Sequence, residues 1–199
     1  MLASLAAEAG AEVVAAEHAG DDATEVSAAL QRLLASADIV LSIGGVSEGD
    51  FDPVKQSLAA LGGVARWSVA MKPGKPQAFG APNGRLFFGL PGNPASVACV
   101  FEVLVRPALR AMQGFGTLDR PHLLVRAAQS IESRAGRRDY VRAALEWRDG
   151  VAWAHPAGAQ ISGHLAPQSR ADGLVVIHES LGALAQGESA EFMVLRWGM

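Results

Sequence analysis

The sequence predicts an α/β fold: an open, mostly parallel sheet with helices on its faces, followed by a small all-β, barrel-like domain. Three observations predict it. As far as residue 114, short β-branched runs alternate with stretches of helical periodicity. Beyond that point, short strand-like runs separated by polar turns take over. Finally, three turns rich in glycine and proline, at 44–52, 72–76 and 90–96, each follow a predicted strand. In a parallel sheet such strand ends share one edge, where open α/β folds bind ligands. The boundaries that follow are 1–114 for the α/β domain, 115–120 for a linker and 121–199 for the β domain.

Each element has a local reason. Residues 2–9 are alanine-rich and helical, and 11–16 read as a strand. Asp21 or Asp22 can cap a helix to Ser36, with Val26, Leu30, Leu33 and Leu34 on one face. Residues 38–43 form the next strand, broken by Gly44 and Gly45. Val54, Leu58 and Leu61 set a helix over 51–61 that Gly62 and Gly63 stop. Residues 64–70 are a strand, and 77–80 with 85–90 form a hairpin about Pro82, Asn83 and Gly84. Asn93 and Pro94 then open a long apolar helix to Met112. Strands follow at 122–129, 139–147, 151–155, 174–178 and 190–196, with Arg148, Asp149 and Gly150 as a hairpin turn.

Composition bounds the function. The chain has 199 residues, 50% hydrophobic and 19% charged, enough for a sizeable core. A net charge of -3 gives no global electrostatic footprint for nucleic acid. Cys99 is the single cysteine, so no internal disulfide framework exists, and a reducing, cytoplasmic setting is the expectation. No apolar run approaches the roughly 20 residues that span a bilayer, and no membrane partner is expected. The five histidines show no metal-ligand spacing, and Cys99 sits in an apolar helix as a buried thiol. All three lysines, Lys55, Lys72 and Lys75, fall within one short stretch, in a chain that carries fourteen arginines. The clustering reads either as a local need for a compact ammonium or as chance.

The three turns carry the chemistry. Gly44 and Gly45 let backbone N–H groups converge on an anion, and Ser47, Glu48, Asp50 and Asp52 follow them. Carboxylates beside phosphate-seeking amides make sense around a divalent cation; the plain alternative is Asp50 or Asp52 as a helix cap. Lys72 to Pro76 reads either as an oxyanion clamp or as a solvated turn. Asn93 reads as a plain cap or as part of the same edge. Arg134, Arg137 and Arg138 form a basic cluster before Tyr140, a solvated loop or an anion contact.

The combination SIGGVSEGDFD, MKPGKPQAFG and GLPGNPAS, followed by GRRDYVRAAL and ISGHLAPQSRADGLVVI, resembles the molybdopterin molybdenumtransferase family, relatives of the gephyrin E domain. The resemblance covers essentially the whole chain but only the C-terminal half of the family's architecture. It implies a sheet domain of molybdopterin-binding type. It further implies insertion of molybdate into adenylylated molybdopterin, with Mg²⁺ required and AMP released. Gly44, Gly45, Val46 and Ser47 match the glycine loop facing the pterin phosphate or nucleotide. Asp50 and Asp52 match the acidic pair, with Asp52 for magnesium or molybdate chemistry. Lys72 and Lys75 match the lysines of the KPGKP turn as molybdate or phosphate ligands. Pro91, Gly92, Asn93 and Ser96 match the helix start lining the cleft, with Arg138 and Ser162 from the second domain. The resemblance also implies a homodimer, and molybdopterin adenylyltransferase and molybdoenzymes as partners.

The departures are Ser68 in place of a basic residue, Ile43 in place of a small hydroxylated one, and Glu48 in place of an apolar one. The chain also begins inside the first helix of the α/β domain, so that domain's first strand is expected to be missing and the activity impaired. Two other readings stand beside the enzyme: a non-catalytic pterin-binding or scaffolding module, and the related molybdopterin adenylyltransferase, which the trailing β domain disfavours.

Overall fold

The computed structural model describes residues 1–46, 53–158, 160 and 166–196. The chain divides into two compact units: Met1–Val69 with Gly74–Leu118, and Ala70–Pro73 with Asp119–Met199.

The first unit carries helices α1 (Leu2–Glu8), α2 (Ala23–Ser36) and α3 (Pro53–Leu61), and a sheet of β1 (Ile39–Ile43), β2 (Val64–Ser68), β4 (Pro76–Gly80) and β5 (Leu86–Leu90). A two-residue strand, β3 (Met71–Lys72), interrupts this order and belongs to the second unit. Asp22 caps α2, its carboxylate accepting from the backbone N–H groups of Thr24 and Glu25 at 2.9 Å. The face so started buries Val26, Leu30 and Leu34 against Val40, Val46, Ala78 and Phe87.

The sheet order is β1-β5-β4-β2. The α/β class stands, but among the described residues the sheet is mixed, not mostly parallel: β1 and β5 run parallel, β5–β4 and β4–β2 antiparallel. The cause is loop length, because a parallel neighbour needs a long crossover and a short turn can only return the chain. The expected Pro82–Gly84 turn, with Asn83 at φ 53° and Gly84 at φ 76°, turns β4 directly into β5. The expected strand at 11–16 is absent. Those residues have no ladder partner among the described residues, and Val13 and Val14 are exposed. Apolar alternation makes a strand only where a neighbour accepts its hydrogen bonds.

After β5 the chain enters α4 (Pro94–Val100), a π turn (Phe101–Val105) and α5 (Arg106–Met112). Pro107 has no N–H and crowds the carbonyl one turn back, so the long helix expected here is continuous only through the π turn. Its inward face is fully buried at Val100, Phe101 and Val105, and Cys99 is buried as expected. The segment after α5 is pinned: Arg106 Nη1 donates to the Leu118 carbonyl and Arg110 Nε to that of Thr117, both at 2.9 Å.

The second unit is a barrel. Strands β6 (His122–Ala127), β8 (Arg138–Arg148), β9 (Val151–Pro156), β10 (Gly173–Ile177) and β12 (Ser189–Val194) pair in the circuit β10-β12-β6-β9-β8-β10, which closes. A short ladder of β7 (Ile131–Glu132) with β11 (Ala183–Leu184) and a helix α6 (Ala166–Arg170) complete it. A five-stranded barrel has a narrow interior. It is filled here by Phe192 and Val175 beside Ala127, Ala143 and Ala154, all fully buried. Asp149 at φ 49° and Gly150 at φ 77° form the expected β8–β9 hairpin turn.

Candidate active site

In the first unit, the parallel β1–β5 ladder ends with Ile43 opposite Leu90, so the two following turns leave the sheet at one edge. The Gly44 N–H donates to the Leu90 carbonyl at 2.9 Å and ties them together. Gly44 at φ 89° and Gly45 at φ 74° are consecutive left-handed residues, a geometry that β-carbons disfavour. Val46 then turns back into the α2 core. Its side chain, matched by resemblance to a substrate-facing loop, is buried, so only its backbone can serve a ligand. That burial depends on Gly89: a β-carbon there would lie 2.8 Å from Val46 Cγ1 and 2.9 Å from Ala78 Cβ.

Across the edge, Pro91 is buried while Gly92 and Asn93 are exposed. Asn93 occupies the N-cap position of α4, but its side chain makes no capping hydrogen bond, leaving its amide available. Ser96 is buried inside the first turn of the helix. The Gly44–Gly45 and Pro91–Asn93 turns therefore share a rim. Ser47, Asp50, Asp52 and Ser162 lie outside the described residues.

The KPGKP stretch divides. The Val69 N–H donates to the Lys75 carbonyl at 2.8 Å, and buried Gln77 donates through Nε2 to the Gly74 carbonyl at 2.8 Å, fastening the turn to β4. Lys75 belongs with the first unit. Lys72 belongs with the barrel's sheet, where β3 runs parallel to β8 with Met71 opposite Arg138 and Lys72 opposite Asp139. The Arg138 N–H donates to the Ala70 carbonyl at 2.9 Å and extends that ladder. Two candidates from distant stretches, Lys72 and Arg138, are thus on adjacent backbones, although alternation sends their side chains to opposite faces.

The basic cluster before Tyr140 is not a plain solvated loop. Arg138 holds the Glu179 carboxylate through Nε at 3.0 Å and Nη2 at 2.9 Å. The Glu179 carboxylate raises the Arg138 pKa. Glu179 is lowered, first by its backbone hydrogen bond and then by Arg138. An anion approaching Arg138 must therefore displace an exposed carboxylate, an ion pair of modest strength. Arg137 holds Asp139, with Nε 2.8 Å from Oδ1 and Nη2 3.3 Å from Oδ2. Sequence reasoning passed over Gln77, Gly89, Asp139 and Glu179. Only Asp139 had a legible signal, its two-residue separation from Arg137 at the start of a predicted strand.

Two family profiles match the chain: "Probable molybdopterin binding domain" over residues 1–111 and "MoeA C-terminal region (domain IV)" over 125–195. A protein named molybdopterin molybdenumtransferase 2 from Mycobacterium tuberculosis is 37% identical over 193 residues, covering 94% of this chain and 47% of the relative. A molybdopterin molybdenumtransferase from Nostoc is 36% identical over 182 residues, covering 88% of this chain and 42% of the relative. The crystal structure of a molybdopterin biosynthesis MoeA protein from Pyrococcus horikosii superposes with a TM-score of 0.73 at 29% identity, covering 90% of this chain and 43% of that one. The chain spans less than half the length of these relatives. It belongs to the molybdopterin molybdenumtransferase family, as a molybdopterin-binding domain joined to a MoeA C-terminal domain.

Proposed function

We propose that this chain serves the metal-insertion step of molybdenum cofactor biosynthesis, transferring molybdate into adenylylated molybdopterin with release of AMP. The observation that carries the reading is the shared rim of the Gly44–Gly45 and Pro91–Asn93 turns, tied by the Gly44–Leu90 hydrogen bond. Backbone N–H groups there are held ready for phosphate oxygens. By resemblance, Lys72, whose ammonium makes no ion pair or hydrogen bond to any described residue, is a cation for the dianionic metal oxyanion. Lys75 and Asn93 extend the same role. Asp52, Ser47 and Ser162 join it by resemblance, as do Asp50 and Asp52 for Mg²⁺. Among the described residues, no three histidine, cysteine or carboxylate groups converge on a metal position. A homodimer, a cytoplasmic setting, and molybdopterin adenylyltransferase and molybdoenzymes as partners belong to the same proposal.

The test is AMP release from adenylylated molybdopterin by the purified chain, with and without molybdate and Mg²⁺. Molybdate-dependent release is expected. Pterin binding without turnover would instead favour a non-catalytic pterin-binding module, a second reading motivated by the short span of the chain relative to its relatives. Neither binding nor release would overturn both.

A further inference from the structure

We propose that Arg137 is a positioning residue that keeps Lys72 free for an oxyanion by engaging both oxygens of the Asp139 carboxylate. The proposal rests on the reading of Lys72 as an anion ligand. Lys72 and Asp139 are register partners in the parallel β3–β8 ladder, so their side chains leave the same face of the sheet. Arg137, two residues before Asp139, reaches that face as well. The Asp139 side chain is only 3% exposed, so its charge must be compensated. Two cations share its face, the Lys72 ammonium across the ladder and the Arg137 guanidinium.

The guanidinium takes it, with Nε at 2.8 Å and Nη2 at 3.3 Å on separate oxygens. A planar fork matches a carboxylate in a way that a point-like ammonium cannot. Lys72 is left exposed and unpaired among the described residues. The ladder itself is pinned by buried Met71 and by the Arg138–Ala70 hydrogen bond, so Lys72 has a fixed origin beside this pair. Without Arg137, the cation facing the orphaned carboxylate across the ladder is Lys72. The two would then neutralise each other, and an incoming oxyanion would have to compete with a buried carboxylate.

The test is a cycle on the full chain: Arg137→Ala, Asp139→Asn, both together, and Lys72→Ala. The first readout is calorimetric binding of inorganic molybdate. The second is the ¹³C-methyl spectrum of the chain after reductive methylation, where three lysines and the terminal amine contribute. Arg137→Ala is expected to weaken molybdate by about tenfold, the scale of one lost charge-assisted contact. Its Lys72 methyl signal should shift toward that of an ion-paired amine. The double variant should recover to within about threefold of the parent and regain the parent signal, since the competing charge is gone.

A double variant as weak as, or weaker than, Arg137→Ala would overturn the proposal. It would mean that Arg137 touches the anion itself or only holds the fold. Arg137→Gln, which keeps a hydrogen-bond donor without charge, must behave like Arg137→Ala if charge is the cause. Unchanged binding in Lys72→Ala would instead sink the underlying reading of Lys72. In that event the methyl spectrum still decides whether Asp139 captures Lys72 when Arg137 is absent.

Discussion

The two units solve the same burial problem in opposite ways. In the first, an open sheet is covered by helices, and its core is made of large side chains such as Leu30, Leu34 and Phe87 from different layers. In the second, five strands close on themselves, and the interior is so narrow that alanines stand at Ala127, Ala143 and Ala154 around Phe192. An open sheet leaves strand ends along a rim where turns can be exposed without costing core packing. A closed barrel has no paired edge to spare, and its chemistry sits on what is added to it, here the β3 strand and the 136–139 corner. The rim of the first unit accordingly carries Gly44, Gly45 and Gly92, while the corner of the second carries the Arg137–Asp139 and Arg138–Glu179 pairs.

Four substitutions sharpen this contrast, each followed by urea unfolding. Trp67 lies in the first unit, whereas Trp147 and Trp153 lie in the second, so Trp67→Phe leaves a fluorescence signal from the barrel among these three. The largest effect is expected from Phe192→Ala, which empties the centre of a small core and should destabilise the barrel by about 3–5 kcal/mol. A shift confined to the first unit's transition would refute the view that Phe192 fills the closed interior. Next, Gly89→Val should cost about 1–3 kcal/mol in the first unit, because its side chain meets Val46 and Ala78. Adding Val46→Ala should return part of that loss; no recovery would show that the contact is not the cause.

Asp22→Ala should remove about 1 kcal/mol by leaving the α2 N-terminus uncapped, with Asp22→Asn retaining most of it. Equal losses in the two variants would argue for charge and against the cap. The smallest effect concerns acid. Glu146, held by Arg148 first and also by His155, titrates at about 2 instead of 4.5. Its contribution is present above the unfolded value and is lost as pH falls from about 4.5 toward 2. Glu146→Gln should flatten the acid limb of barrel stability over that interval, and an unchanged limb would show that the exposed pair contributes nothing.

Much of this architecture was legible because the signals were local. Asp22 caps because its carboxylate reaches amides two and three residues on, and Pro82-Asn83-Gly84 turns because it accommodates positive φ. The barrel strands announced themselves by alternation between polar turns. The segment at 11–16 read as a strand on the same grounds and is not one, because alternation cannot say whether a neighbour is present. The mixed sheet was missed for a related reason: pairing direction depends on which strands meet, not on any one strand's composition.

The candidate site shows the same division. The glycine pair, the PGNP turn and the paired lysines were visible as residues. That Gly44 bonds to the last residue of β5, across some forty-six residues, follows only from the parallel register of β1 with β5. That Lys72 lies with β8 while Lys75 lies with β4 follows from where the intervening turn crosses between sheets.

The sequence by itself determined the class of each unit, the caps and turns, and the short list of groups able to hold an oxyanion, since all of these depend on contacts within a few residues. Packing alone set which of those groups became neighbours, and which distant charges were already spent on one another, as Arg138 is on Glu179. Register and ion pairing across strands are set by long-range packing, and no local pattern of residues encodes them.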